Sequence, residues 1–250
     1  MNRNLFYLST ISSHAERVSE CYGLGLEIAE YCTAWNMDIY REVTKATVEK
    51  KITGITHRVL HAPFNELFPC AIDLQARELA AKRYRQAIAL AKEHGASKVI
   101  IHGGYNPWIY YPVWYVEQSI SFWKAFFQED PGVEIVLENV LEETPDSLLS
   151  IVSGVDNPKL KLCLDVGHVN AYSKVPVETW LAEWVPYLSH FHIHNNYADR
   201  DSHQPLFDGT IAMTSLLRQA ETQCANPTYT LELMEPESSV QFLLREGLLD

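Results

Sequence analysis

Residues 161–168, KLCLDVGH, carry an apolar run that ends on Asp165 and turns through a glycine to His168. Apolar runs of this length read as buried strands, and a buried carboxylate or imidazole is costly unless something pairs with it. The same grammar recurs on both sides of this stretch. Upstream it reads VLHAPFN (His61), VIIHGG (His102) and IVLENV (Glu138); downstream it reads FHIHNN (His192) and TLELM (Glu232). A loop segment, DSHQPLFDG, adds Asp201 and His203. When strand after strand ends on a metal-ligand side chain, divalent cations are the natural compensating partner.

Working outward, strand and helix signals alternate along the whole chain. Strands are predicted over 5–8, 24–29, 56–61, 98–102, 134–138, 161–165, 189–194 and 228–233. Between them lie helical patterns such as DLQARELAAKRYRQAIALAKEHG, with Asp73 as N-cap and Gly95 just past the end. PVWYVEQSISFWKAFFQ and PVETWLAEWVPYL each open with proline in the first turn, where the missing N–H costs nothing. Eight such units imply a parallel sheet with right-handed crossovers, closed into an α/β (β/α)8 TIM barrel. The active site of that fold lies at the C-terminal strand ends, where the ligand residues fall. A doubly wound sheet competes, but the first strand is followed by STISSHAERV with no glycine, and neither GxGxxG nor a Walker motif occurs.

At 250 residues and 47% hydrophobic content the chain is about one barrel long, and 1–250 is read as a single domain. No segment approaches the roughly 20 apolar residues of a membrane span. No small-residue cleavage site follows the N-terminal apolar stretch, so it reads as a first strand rather than a signal peptide. The five cysteines (Cys21, Cys32, Cys70, Cys163, Cys224) are scattered and never form CxxC, which fits reduced thiols and a cytoplasmic location. The net charge of −12 argues against a broad nucleic-acid footprint.

Glu138, Asp165, His192 and Glu232 form a mixed oxygen/nitrogen shell suited to Mn, Zn, Co or Mg, with the two glutamates facing each other across the mouth. For any one of them alone an ordinary satisfied side chain is the better explanation; four at matching strand ends are not explained that way. Asp165 and His168 sit three apart where strand becomes loop. His61 and His102, on adjacent strands, favour a shared metal. Asp201 and His203 can fold over the mouth as a further pair, though solvent-exposed polar residues would read the same. His190, His192 and His194 alternate and so share a face: His190 as a deep core histidine, His192 as ligand, His194 nearer the rim as a substrate contact or support. Glu27 reads as a rim base or acceptor for substrate. Trp108, with the aromatics that follow it, reads as a wall of the substrate pocket or as helix packing. His94 is explained by the dipole of a helix C-terminus.

These segments resemble the xylose-isomerase-like TIM-barrel superfamily, and within it the endonuclease IV type (AP endonuclease family 2). The likeness runs from GLEIAE to LELM and rests on HAPF, IIHGG, LEN, CLDVGH, FHIHNN, DSHQPLFDG and TLEL. It implies that His61, His102, Glu138, Asp165, His168, His192, Asp201, His203 and Glu232 hold two or three divalent ions, zinc and/or manganese, for hydrolysis of a phosphodiester. There are departures: His194-Asn195-Asn196 replaces the family's usual N-D after the strand-seven histidine, and Leu206-Phe207-Asp208-Gly209 replaces L-G-E-G. The wording HIHNN and DSHQPL is similar to barrels described as sugar phosphate isomerase/epimerase.

Charge separates the chemistries. One divalent ion with Glu138, Asp165, Glu232 and neutral His192 leaves about −1, which suits a neutral polyol and a proton shuttle between Glu138 and Glu232. Three ions with all nine ligands leave about +2, which suits a phosphoester. Ketose epimerases resembling this chain carry an arginine where Asp201 and His203 stand, so metal-assisted hydrolysis of a sugar- or phosphate-containing small molecule is the first expectation and isomerisation or epimerisation the alternative. Abasic DNA as substrate is disfavoured because Phe64-Asn65-Glu66 and the other loops offer little cationic grip. A non-catalytic sugar-binding barrel would have lost ligands, and none is lost.

Overall fold

The computed structural model describes residues 1–250. Eight parallel strands, β1 (Phe6–Ser9), β2 (Gly25–Ile28), β3 (Arg58–His61), β4 (Lys98–His102), β5 (Glu134–Glu138), β6 (Leu160–Asp165), β7 (Leu188–Ile193) and β8 (Thr228–Leu231), pair in chain order and close β8 onto β1. The helices are α1 (Ala15–Tyr22), α2 (Ala34–Met37), α3 (Arg41–Lys51), α4 (Leu74–Glu93), α5 (Pro112–Phe126), α6 (Asp146–Val155), α7 (Val166–Tyr172), α8 (Val177–Trp184), α9 (Met213–Gln223) and α10 (Glu237–Arg245). The expected (β/α)8 barrel is therefore the fold, and every predicted strand is present with ends shifted by a residue or two.

Strands buried on both faces explain the nearly unbroken apolar runs. Their outward residues join the helices in one large core that includes Trp123, Trp180, Trp184 and Tyr84. Inward residues Tyr7, Val59, Ile100, Val136 and Cys163 form a separate plug inside the barrel. Beneath the plug Lys98 Nζ reaches Ser189 Oγ at 2.7 Å and Thr228 Oγ1 at 3.0 Å. Above it the inward layer turns polar, and the site is built there.

Local signals behave as their chemistry requires. Asp73 caps α4 by accepting from the Gln75 amide at 2.8 Å, and Gly95 takes the left-handed conformation just past its end. Pro112 occupies the first position of α5, whereas Pro176 is the N-cap of α8, one place earlier than expected. The expected loop between Asp165 and His168 is instead the first turn of α7: Asp165 Oδ1 accepts from the His168 amide at 2.7 Å. No helix is long and apolar enough to cross a membrane.

Candidate metal centre

Register brings the strand ends together. His102 lies opposite Glu138 on neighbouring strands, and Asp165 opposite His192. Glu138, Asp165 and His192 are buried, and Glu232 follows β8 at the edge of the mouth. Ligand atoms of these four residues all lie within 4.8 Å of one another. His192 Nδ1 stands 3.2 Å from Glu138 Oε1, 3.5 Å from Glu232 Oε2 and 3.8 Å from Asp165 Oδ2. The other ring nitrogen is engaged below: Nε2–H donates to Glu27 Oε2 at 3.1 Å, an oxygen that also accepts from Thr230 Oγ1 at 2.7 Å. His192 Nδ1 is thus a buried acceptor with no hydrogen-bond partner, facing carboxylate oxygens. Lone pairs converging without a proton or cation repel one another, so this donor set fits a divalent ion.

Two further groups flank it. His61 Nε2 and His102 Nε2 lie 3.2 and 3.5 Å from Glu138 Oε2. On the other side His203 Nε2 and His168 Nε2 lie 2.9 and 3.3 Å from Asp201 Oδ2. His194 Nε2 lies 3.2 Å from Asp165 Oδ2, and its ring stacks on His203 at 4.0 Å. The imidazoles share a logic: one nitrogen is anchored so that the other points inward. His61 Nδ1 donates to Ala62 O (2.9 Å), His168 Nδ1 to Asn139 O (2.8 Å) and His203 Nδ1 to Glu232 O (2.7 Å). His203 adopts a left-handed backbone (φ 47°), costly for a side chain with a Cβ and sustained here by those contacts. The loop that carries it is pinned by Asn195, whose amide donates to Leu206 O and Ile211 O, and by Asn196, which donates to Gly167 O.

Electrostatics follow from this packing. Burial opposes ionisation of Glu138, but His192, His102 and His61 outweigh it and hold the carboxyl well below its ordinary range. Asp165 is lowered against burial by His168 and His194, and Asp201 by His168 and His203. Burial likewise works against a proton on His203, yet its bond to Asp201 and the charge of Glu232 carry it up to about 9. His102, where burial dominates, is pushed down to about 3.

All nine expected ligands converge on one region, but three other expectations need correction. Glu27 is not at the rim: it is fully buried beneath His192 and cannot touch substrate. Trp108 is 82% exposed and lines no part of the central cavity. His94 is not a charged partner of the helix dipole; it is buried against Tyr31 (Oη to Nε2 2.9 Å), and burial lowers its pKa. His190 is the deep core histidine expected, bonded to Thr228 and Thr230. His194 is fully buried at Asp165, which fits support rather than substrate contact.

Sequence reasoning missed Asn139, whose side chain exchanges two hydrogen bonds with the Asp165 backbone and so locks β5 to β6. Its position directly after Glu138 was the available signal. It also passed over Cys32 and Phe64, which lack any signature. The cavity above the carboxylates has a volume of about 290 Å³ and is walled by Ile11, Ala29, Cys32 and Phe64 together with His61, His102, Glu138, His168, Asp201, His203 and Glu232. No lysine or arginine reaches it. The five cysteines are all free thiols.

Comparison with known proteins agrees with this architecture. The family described as xylose isomerase-like TIM barrel matches residues 19–246. A Methanocaldococcus jannaschii protein named Uncharacterized protein MJ1311 is 32% identical over 178 residues, covering 64% of this chain and 59% of that protein. The chain spans about three fifths of the length of the curated relatives it matches. Among solved structures, a D-tagatose 3-epimerase-like protein superposes with TM-score 0.77 at 25% identity, covering 97% of this chain and 96% of that one. The TTHB071 protein of Thermus thermophilus, soaked with ZnCl2, gives TM-score 0.77 at 22% identity over 97% and 98% of the two chains.

Proposed function

We propose, for a chain that belongs to the xylose isomerase-like TIM-barrel family, the role of a divalent-metal-dependent sugar isomerase or epimerase, with Glu138 and Glu232 as its acid/base pair. The observation that carries this reading is the compact Glu138–Asp165–His192–Glu232 group under a small cavity that no lysine or arginine reaches. A neutral polyol suits such a cavity better than a phosphoester does. The likeness to a D-tagatose 3-epimerase-like protein supports the same choice. The sequence-based preference for hydrolysis accordingly gives way to its alternative.

Glu138, Asp165, Glu232 and His192 Nδ1 would hold the ion, zinc being the metal with which a structural relative was soaked. When bound, the ion supplies a Lewis acid that polarises a sugar carbonyl. The chain's own groups do the rest. Glu138, an ionised carboxylate near neutral pH, would take the proton from carbon. Glu232, directly after the strand that closes the barrel, would return a solvent-derived proton to the other face while Glu138 releases the proton it took to solvent. His203, its ring nitrogens held by Glu232 O and Asp201, walls the cavity on the side where the sugar would lie. Phe64, stacked on His102 at 4.4 Å, shields the reacting carbon from water.

One observation favours a second reading. The His194–Asp201–His203 and His61–His102–Glu138 groups could each hold a further ion, and three ions would favour phosphoester hydrolysis. Metal-loaded protein incubated with ketoses, their phosphates and bis-p-nitrophenyl phosphate separates the two. New sugar epimers or isomers by proton NMR are expected; nitrophenol release with unchanged sugars would reverse the choice.

A further inference from the structure

A second hollow, of about 350 Å³, lies between α2, with the loop that leads into it from β2, and the loop after β3. Its walls include Trp35, Asn36, Tyr40, Asn65 and Glu66. It adjoins the metal cavity through its own walls. Cys32 and Phe64 line the metal cavity, and Thr33 and Asn65, the next residue in each loop, line the hollow. Phe64 is the divider, fixed by stacking on His102 and by an edge contact with His61 at 5.7 Å.

We propose that this hollow is a subsite for a neutral glycosyl unit attached to the sugar that occupies the metal cavity, so that the substrate class is a glycosylated ketose rather than a free monosaccharide. The proposal rests on the isomerase/epimerase reading and extends it. A metal cavity of about 290 Å³ is at the small end for a ligand site, which leaves a second ring to lie outside it. Trp35 and Tyr40 are 66% and 50% exposed, and neither ring stacks on another aromatic. Such rings present a rigid apolar face with a polar edge, matching the C–H face and hydroxyl rim of a pyranose. The polar complement is present as well: Asn36 Nδ2 is committed to Glu30 O at 2.6 Å, leaving its carbonyl oxygen, while the Asn65 amide and Glu66 carboxylate make no hydrogen bond within the chain. No lysine or arginine lines the hollow, and Glu66 opposes anions, so a phosphate-bearing extension does not fit.

The test uses the full-length metal-loaded protein, titrated calorimetrically with D-fructose and with two glycosyl-fructoses, maltulose and turanose. At least one disaccharide is expected to bind about tenfold or more tightly than fructose. Trp35→Ala is expected to abolish that advantage while leaving fructose affinity within about twofold, and Asn65→Ala to reduce it. Equal affinity for fructose and both disaccharides, or an advantage that survives both Trp35→Ala and Tyr40→Ala, overturns the subsite. A self-association lost in Trp35→Ala without any sugar preference also overturns it and assigns the face to a second copy of the chain. Solvent-deuterium incorporation measured in parallel keeps the two claims apart. Disaccharide preference without exchange leaves the subsite standing and sinks the isomerase reading; exchange into fructose without preference does the converse.

Discussion

Glu27 Oε2 lies 3.1 Å from His192 Nε2, and this contact decides which nitrogen of His192 faces Glu138, Asp165 and Glu232. Burial disfavours the Glu27 carboxylate, but His192 and His190 overcome that and hold it ionised well below its ordinary range. Removing the acceptor frees the ring to flip and weakens it as a ligand. Glu27→Leu is expected to lower metal affinity by about 10–100-fold, with Glu27→Gln less affected because an amide oxygen can still accept. Competition against a chromophoric chelator measures this; unchanged affinity in Glu27→Leu would show that the contact does not orient the ring.

Gly167 tests the packing around His194. A Cβ added there would sit 1.9 Å from His194 Cε1, too close for any relaxation short of moving the ring. Gly167→Ala should displace His194 from Asp165 and from its stack on His203, destabilising the fold by about 1–3 kcal/mol. Urea denaturation of the metal-free protein reads the stability loss, and a metal titration reads the damage to the site. A neutral Gly167→Ala in both would contradict the packing described.

The acid/base pair and the loop histidine should separate kinetically. Glu138→Gln and Glu232→Gln are each expected to lower kcat by about 10²–10⁴-fold on a competent sugar. His203→Ala, which removes a side chain from the cavity wall but none of the four central ligands, should raise KM more than it lowers kcat. A loss of kcat in His203→Ala as large as that in Glu138→Gln would point to the multi-ion hydrolase instead.

His94 supplies a pH dependence outside the site. Its folded pKa lies below the ordinary value of 6.5 because it is buried against Tyr31. Between the folded value and about 6.5 the unfolded chain therefore binds the extra proton. The contribution of His94 is complete above about pH 6.5 and is lost as pH falls from there through the folded value. Stability of wild type minus His94→Gln, followed by urea midpoints from pH 5 to 8, should decline towards acid; a flat difference would mean that the imidazole titrates normally.

The barrel was legible because strands covered on both faces must be apolar throughout, and the ligands because a carboxylate or imidazole ending such a run has few cheap explanations. Depth was not legible. Period-two alternation says that Glu27 points inward, but the stagger between strands sets whether it reaches the rim or stops a layer below. The loop holding Trp108 illustrates the other limit, since local pattern does not say which way a connection folds: Trp108 faces solvent while Tyr110, two residues on, is buried. The chemistry was the least legible part, because residue type alone cannot count ions: nine convergent ligands allow one ion or three, whereas a cavity free of lysine and arginine becomes visible only when the loops are in place.

The most direct test of the central claim is proton NMR of a competent ketose incubated in D2O with the metal-loaded protein. A carboxylate shuttle between Glu138 and Glu232 predicts one solvent deuterium at the carbon next to the carbonyl in the product, and none with Glu138→Gln. Product formed without deuterium, or incorporation undiminished in Glu138→Gln, would contradict the account.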